Sequence, residues 1–137
     1  MSFDLFVQCY GETGQSGIPV SAVRSLFPIV REEPEFRCWV LEYDSQNQSD
    51  IYVGLLKGDK EKLGHFTVSR PSGDVRFWEA LFSILRMGSV MICWPESQLV
   101  LAAGASADGL PENMLKGLGG PVFVRSGLEI LKLVQET

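Results

Sequence analysis

Residues 72–95 read SGDVRFWEALFSILRMGSVMICWP, and the unit from Asp74 to Pro95 sets the architecture of the chain. Asp74 is a good N-cap, because its carboxylate can accept from the free N–H groups of a first helical turn. Phe77, Leu81, Ile84 and Leu85 follow the i, i+4, i+7, i+8 spacing of one helical face. Val75, Trp78 and Phe82 widen that face, leaving Arg76, Glu79, Ser83 and Arg86 as a narrow polar stripe. Gly88 stands where a left-handed residue would close the helix, with Arg86 near the negative end of the dipole. Some 13 residues make a helix of about 20 Å, too short to cross a bilayer. A helix this apolar must be buried on most sides. Its large side chains are expected to contribute about 1.5–3 kcal/mol each as core, with an aromatic ligand pocket as the lesser reading.

Around this unit the pattern is mixed. Residues 3–10 alternate, with Phe3, Leu5, Val7 and Cys9 on one face of a first strand. Residues 11–17, GETGQSG, read as a flexible loop, and Pro19 opens a short helix carrying Val20, Val23, Leu26 and Phe27 inward. Glu32, Glu33 and Glu35 around Pro34 form an acidic connection. Residues 36–43, 50–56 and 65–70 are three strands joined by a polar turn at 44–50 and a charged turn from Gly58 to Lys62, an antiparallel meander. After Gly88, residues 89–94 and 98–103 form a hairpin around Pro95-Glu96-Ser97. Residues 111–116 predict a short helix, and 121–125 a brief edge strand. Ser126 and Glu129 are spaced as a capping box for a C-terminal helix with Leu128, Ile130, Leu131 and Val134 on its apolar side. The expected class is α+β, in the order β-α-β-β-β-α-β-β-α-(β)-α. Its mainly antiparallel sheet combines the three-stranded meander and the later hairpin, packed by the central apolar helix and shorter helices. The 137 residues, 45% hydrophobic, fit one domain, 1–137.

Composition excludes more than it proposes. A net charge of −5 with no basic run argues against nucleic acid, which is held by clustered Lys and Arg. The N-terminus lacks the basic and apolar regions of a signal peptide, and no window reaches transmembrane length, so no membrane partner is expected. Cys9, Cys38 and Cys93 are widely spaced and odd in number, as expected of reduced thiols in a cytoplasm. The sequon Asn47-Gln48-Ser49 carries no meaning in that compartment.

Chemistry-bearing motifs are sparse. Gly11, Gly14 and Gly17 sit between a strand and a helix, but neither a dinucleotide nor a P-loop pattern is completed. His65 is the sole histidine, and no C-x-x-C or H-x-x-x-H spacing exists, so neither metal nor cofactor is implied. Pairing of His65 with a cysteine in space stays open, although a buried thiol is usually inert. The loop entering the central helix offers Arg70, Ser72 and Gly73 as an anion or small-ligand site, with Arg70 beside free N–H groups. Two features compete: Asp74 would occupy the cap position, and Arg70 can pair with an acid such as Asp50. Trp39, Tyr43 and Tyr52, flanked by Asp44, Asp50 and Glu42, are a candidate partner surface, since aromatic centres with charged rims mark interface hot spots. The alternative is that Trp39 and Tyr43 belong to the core.

The opening MSFDLFVQCY, the strand DIYVGLL and the segment SRPSGDVRFWEALFSILRMG resemble a group of small bacterial proteins sharing an MSFDLY-type start and an RP-x-GD…WEAL helix entry. No activity is established for that group, so the resemblance implies only a bacterial, cytoplasmic, single-domain protein. The leading expectation is a non-enzymatic protein-binding domain, with an immunity protein neutralising a bacterial toxin as its sharpest version. The alternative is a small-molecule or anion-binding domain, or an enzyme, using the Arg70 entrance. A third is self-association through the strand edge at 121–125.

Overall fold

The computed structural model describes residues 3–110, 112–113 and 120–136. A single sheet of nine strands is packed on one face by helices, the α+β arrangement expected. The strands are β1 (Asp4–Cys9), β2 (Ile18–Pro19), β3 (Ile29–Glu33), β4 (Cys38–Asp44), β5 (Asn47–Leu56), β6 (Asp59–Ser69), β7 (Val90–Cys93), β8 (Val100–Ala102) and β9 (Val122–Val124). The helices are α1 (Gly11–Ser16), α2 (Val20–Arg24), α3 (Val75–Leu85) and α4 (Gly127–Gln135). Strand order is β3-β4-β5-β6-β1-β7-β8-β9, with β2 paired to β6. All neighbours are antiparallel except β8 and β9.

Helix α3 lies at the centre of the core. Asp74 caps it by accepting from the Arg76 N–H at 2.9 Å, and Phe77, Trp78, Leu81, Ile84 and Leu85 are buried. They meet Leu5, Val7, Trp39, Leu41, Ile51, Phe66 and Val68 from the inner face of the sheet, with Ile130 and Val134 of α4 on the other side. The Trp78 indole N–H donates to the Ser72 carbonyl at 2.8 Å, so the buried ring keeps its polar atom satisfied. Val75 and Leu128, read as apolar-side residues, instead face solvent. Glu129 accepts from the Arg125 N–H at 2.7 Å while Ser126 accepts from Glu129, so the expected box closes one residue earlier than usual.

Several expectations are corrected. Residues 11–16 form a short helix rather than a loop, held from outside: the Thr13 hydroxyl accepts from the Ser89 N–H at 3.0 Å. That contact explains Gly88, which is not left-handed; a β-carbon there would come within 2.7 Å of the Thr13 hydroxyl oxygen. Glu32 and Glu33 of the expected acidic connection end a strand, β3, and Pro34 and Glu35 open a 3-10 turn, so the meander has four members. Phe36 belongs to a 3-10 turn, Pro34–Phe36, rather than to β4. The charged stretch after Gly58 is the first half of β6, reached through a tight turn at Lys57-Gly58, where Gly58 has φ +81°. The helix expected at 111–116 lies outside the described residues apart from Glu112 and Asn113, which are helical. Among the described residues no helix is long and apolar enough to cross a membrane.

Candidate functional site

The register divides the sheet into two faces, because directly paired residues share a side. Trp39 pairs with Ile51, and Ile51 with Val68, placing Trp39 on the inner, helix-covered face. Cys38 pairs with Tyr52, Tyr52 with Thr67, Thr67 with Phe6 and Phe6 with Cys93, so these five form one row across the outer face. The predicted partner surface is therefore split. Trp39 is 4% exposed, roofed by the Arg24 guanidinium at 5.0 Å and paired across the strands with Glu32. Tyr43 packs on the same core, edge-on to Phe77 with centroids 6.4 Å apart, with the Arg76 guanidinium 5.2 Å from its ring centre. Asp44 serves the turn, accepting from the Gln46 N–H at 2.8 Å and from the Asn47 side chain. Of that set Tyr52, Asp50 and Glu42 reach the outer face.

Among the described residues, one loop covers part of the outer face. Residues 103–110 fold over β7 and β8, where Met91, Leu99, Leu101 and Leu110 make a second small core with Tyr10. The Tyr10 hydroxyl ties that loop down by donating to the Ser106 carbonyl at 2.6 Å. Over β5, β6 and β1 no described segment covers the sheet, whereas Cys38 and Val40 of β4 are buried even on this side. Phe6 is 41% and Tyr52 43% exposed there, two strands and so about 10 Å apart. The Tyr52 hydroxyl meets the Cys38 thiol. In the next row Asp4, Ser69, Asp50 and Val40 are aligned, and Gln8, His65 and Gly54 lie on the opposite flank. Sequence reasoning missed Phe6 because β1 was read only for its buried parity; its alternation already placed Asp4, Phe6 and Gln8 outward.

The Arg70 entrance is built differently. Arg70 has φ +55°, and its guanidinium bonds the Asp50 carboxylate at 2.7 Å. The Arg70 carbonyl accepts from the buried Ser49 hydroxyl at 2.8 Å, fixing the loop to β5. Ser72 is buried, its hydroxyl oxygen accepting from the Asp74 N–H at 2.9 Å. Asp74 fills the helix N-terminus and also grips the Arg76 side chain at 2.7 Å, which holds its carboxyl down at about 2. Ser45, Gln46, Asn47, Gln48, Arg70, Pro71, Ser72 and Gly73 enclose a polar cleft of about 350 Å³. Its lining is amides, hydroxyls and backbone, with the Arg70–Asp50 pair at its mouth.

The remaining chemistry-bearing groups are dispersed. Burial pushes the Cys9 thiol up to about 11 and raises those of Cys38 and Cys93 as well. His65 lies flat over Gly54, occupying the space of any β-carbon there. Among the described residues no group of His, Cys, Asp and Glu could hold a metal ion. Both outer strands are poor templates for self-pairing: β9 has three residues, and β3 carries Arg31, Glu32 and Glu33 with a register shift. No family model matches this chain, and neither a curated protein nor a solved structure gives a significant match.

Proposed function

We propose that this chain is a non-enzymatic cytoplasmic protein-binding domain whose working surface is the bare outer face of the sheet. The observation that carries the reading is the Phe6–Thr67–Tyr52 row, aromatic at both ends, uncovered by any described segment and flanked by Asp4 and Asp50. Aromatic residues ringed by polar groups concentrate binding energy when a partner excludes water from them. Thiols held protonated by burial and a histidine resting on glycine favour binding over nucleophilic chemistry. An immunity protein blocking a bacterial toxin is the most specific form of this reading. Its acidic surface would speed encounter with a basic toxin.

The test is co-expression with the product of an adjacent gene, scoring protection and co-purification. The double variant Phe6→Ala/Tyr52→Ala is expected to lose both while remaining folded. A partner that binds this variant as tightly as the native chain would exclude the outer face.

The polar cleft beside Arg70 supports a second reading, a small anion held by Arg70 and the amides of the Ser45–Gln48 turn. Calorimetric titration with phosphate and small carboxylates decides it, with Arg70→Gln expected to abolish any heat of binding.

A further inference from the structure

We infer that the outer face is a seat for guanidinium groups, and that its occupant is an arginine-bearing basic segment of a partner protein; this rests on the binding reading above. The chain already shows how its aromatic rings are answered elsewhere. Arg24 lies 5.0 Å from the Trp39 ring centre, Arg76 5.2 Å from that of Tyr43 and Arg86 5.9 Å from that of Phe82. Among the described residues no cation stands over Phe6 or Tyr52, the aromatic rings at either end of the exposed row. These are the rings for which a partner would have to supply the cation.

Charge points the same way. The register places the acids Asp4, Glu33, Glu42 and Asp50 and the cation Arg31 on this face, and the Arg70 guanidinium reaches Asp50 there. Arg31 pairs with Glu33 at 3.1 Å and Arg70 with Asp50 at 2.7 Å. Asp4 and Glu42 are left without a cation among the described residues; Glu42 accepts only from the Gln48 amide at 3.2 Å. The face therefore presents uncovered π surfaces beside uncompensated carboxylates. A guanidinium meets both needs at once, stacking its plane on a ring while its edge bonds a carboxylate, which an ammonium does less well. A second copy of this chain would bring the same acids opposite themselves, and nucleic acid would bring phosphates.

The experiment titrates the isotope-labelled full chain with a ten-residue peptide alternating arginine and glycine, and with its lysine and citrulline counterparts. The arginine peptide is expected to shift the amide signals of Phe6, Tyr52 and Thr67. Affinity should fall at least tenfold with citrulline, which keeps the shape without the charge, and also in Tyr52→Leu and in Asp4→Asn. Signal dispersion reports whether each variant is folded. Equal binding of the citrulline peptide, shifts centred on another surface, or no binding of the arginine peptide would each overturn the inference. If Phe6→Ala/Tyr52→Ala still loses its natural partner in that event, the guanidinium inference alone has failed. If the partner is retained, the outer face itself is wrong.

Discussion

Gly127, the first residue of α4, lies against the Trp78 carbonyl of α3, so closely that a β-carbon there would overlap the backbone of Trp78 and Glu79. The two helices touch backbone to backbone at this point. The contact is reinforced by the Leu128 N–H, which donates to the Glu79 carboxylate at 3.3 Å. Because the obstructing atoms are backbone, no side-chain rotation relieves the overlap. Gly127→Ala is expected to cost about 1–3 kcal/mol, the range for overpacking a tight contact. Urea denaturation checks this, with the midpoint lowered and the slope unchanged.

Tyr43 offers the opposite case. Its hydroxyl is buried without a hydrogen-bond partner among the described residues, and burial pushes its pKa up to about 12. Leaving a polar group buried and unpaired costs about 1–3 kcal/mol, so Tyr43→Phe should stabilise the fold by up to about that amount. The sign at alkaline pH follows from the shift. The folded state favours the neutral phenol, so above the ordinary tyrosine range near pH 10 the native chain loses stability that the Phe variant keeps. Thermal melts from pH 8 to 11 compare the two.

Asp74 governs the acid side. Its carboxyl is lowered to about 2, first by the Arg76 side chain and then by the Arg76 N–H. A depressed carboxyl contributes stability above its unfolded pKa, near 4, and that contribution is lost as pH falls toward 2. Asp74→Asn keeps a capping oxygen but removes the charge. The variant should show a flatter decline in melting temperature between pH 4 and 2 than the native chain. Parallel declines would rule out the assignment.

The two aromatic classes should separate cleanly in stability. Trp39→Ala empties a core position and is expected to cost about 3–5 kcal/mol. Tyr52→Ala on the bare face should cost less than about 1 kcal/mol, since most surface changes are small. Equal losses in chemical denaturation would mean that Tyr52 is structural and the face is not free.

Where local chemistry and tertiary packing agree, the chain announces its structure. Asp74 caps, Phe77, Leu81, Ile84 and Leu85 are buried, and Leu5, Val7 and Cys9 alternate inward as their spacing implies. Helix α1 was not legible because its six residues bury no side chain and draw their order from Thr13 reaching Ser89, a contact far apart in sequence. Strand β3 was hidden by its glutamates, which suit an edge but mask alternation. The partner surface failed for another reason. Cys38, Trp39, Val40 and Leu41 are all buried, so β4 offers no polar parity to reveal which side faces the helices. Only the pairing of Trp39 with Ile51 and of Cys38 with Tyr52 assigns the faces. Arg70 was legible in both its possible roles, and its bond to Asp50 is the one the fold forms.

The imidazole laid over Gly54 is the chain's sole histidine, and it borders the same uncovered rows as Tyr52 and Thr67. Its carbon-bound protons thus form a built-in sentinel for that surface, readable in an unlabelled sample without a tag, dye or engineered cysteine. A molecule settling on the face must alter the ring's surroundings, whereas one entering by the Arg70 cleft or adding to β9 would leave that signal unmoved. Occupancy of the three regions can be told apart from one resonance before any occupant has been identified.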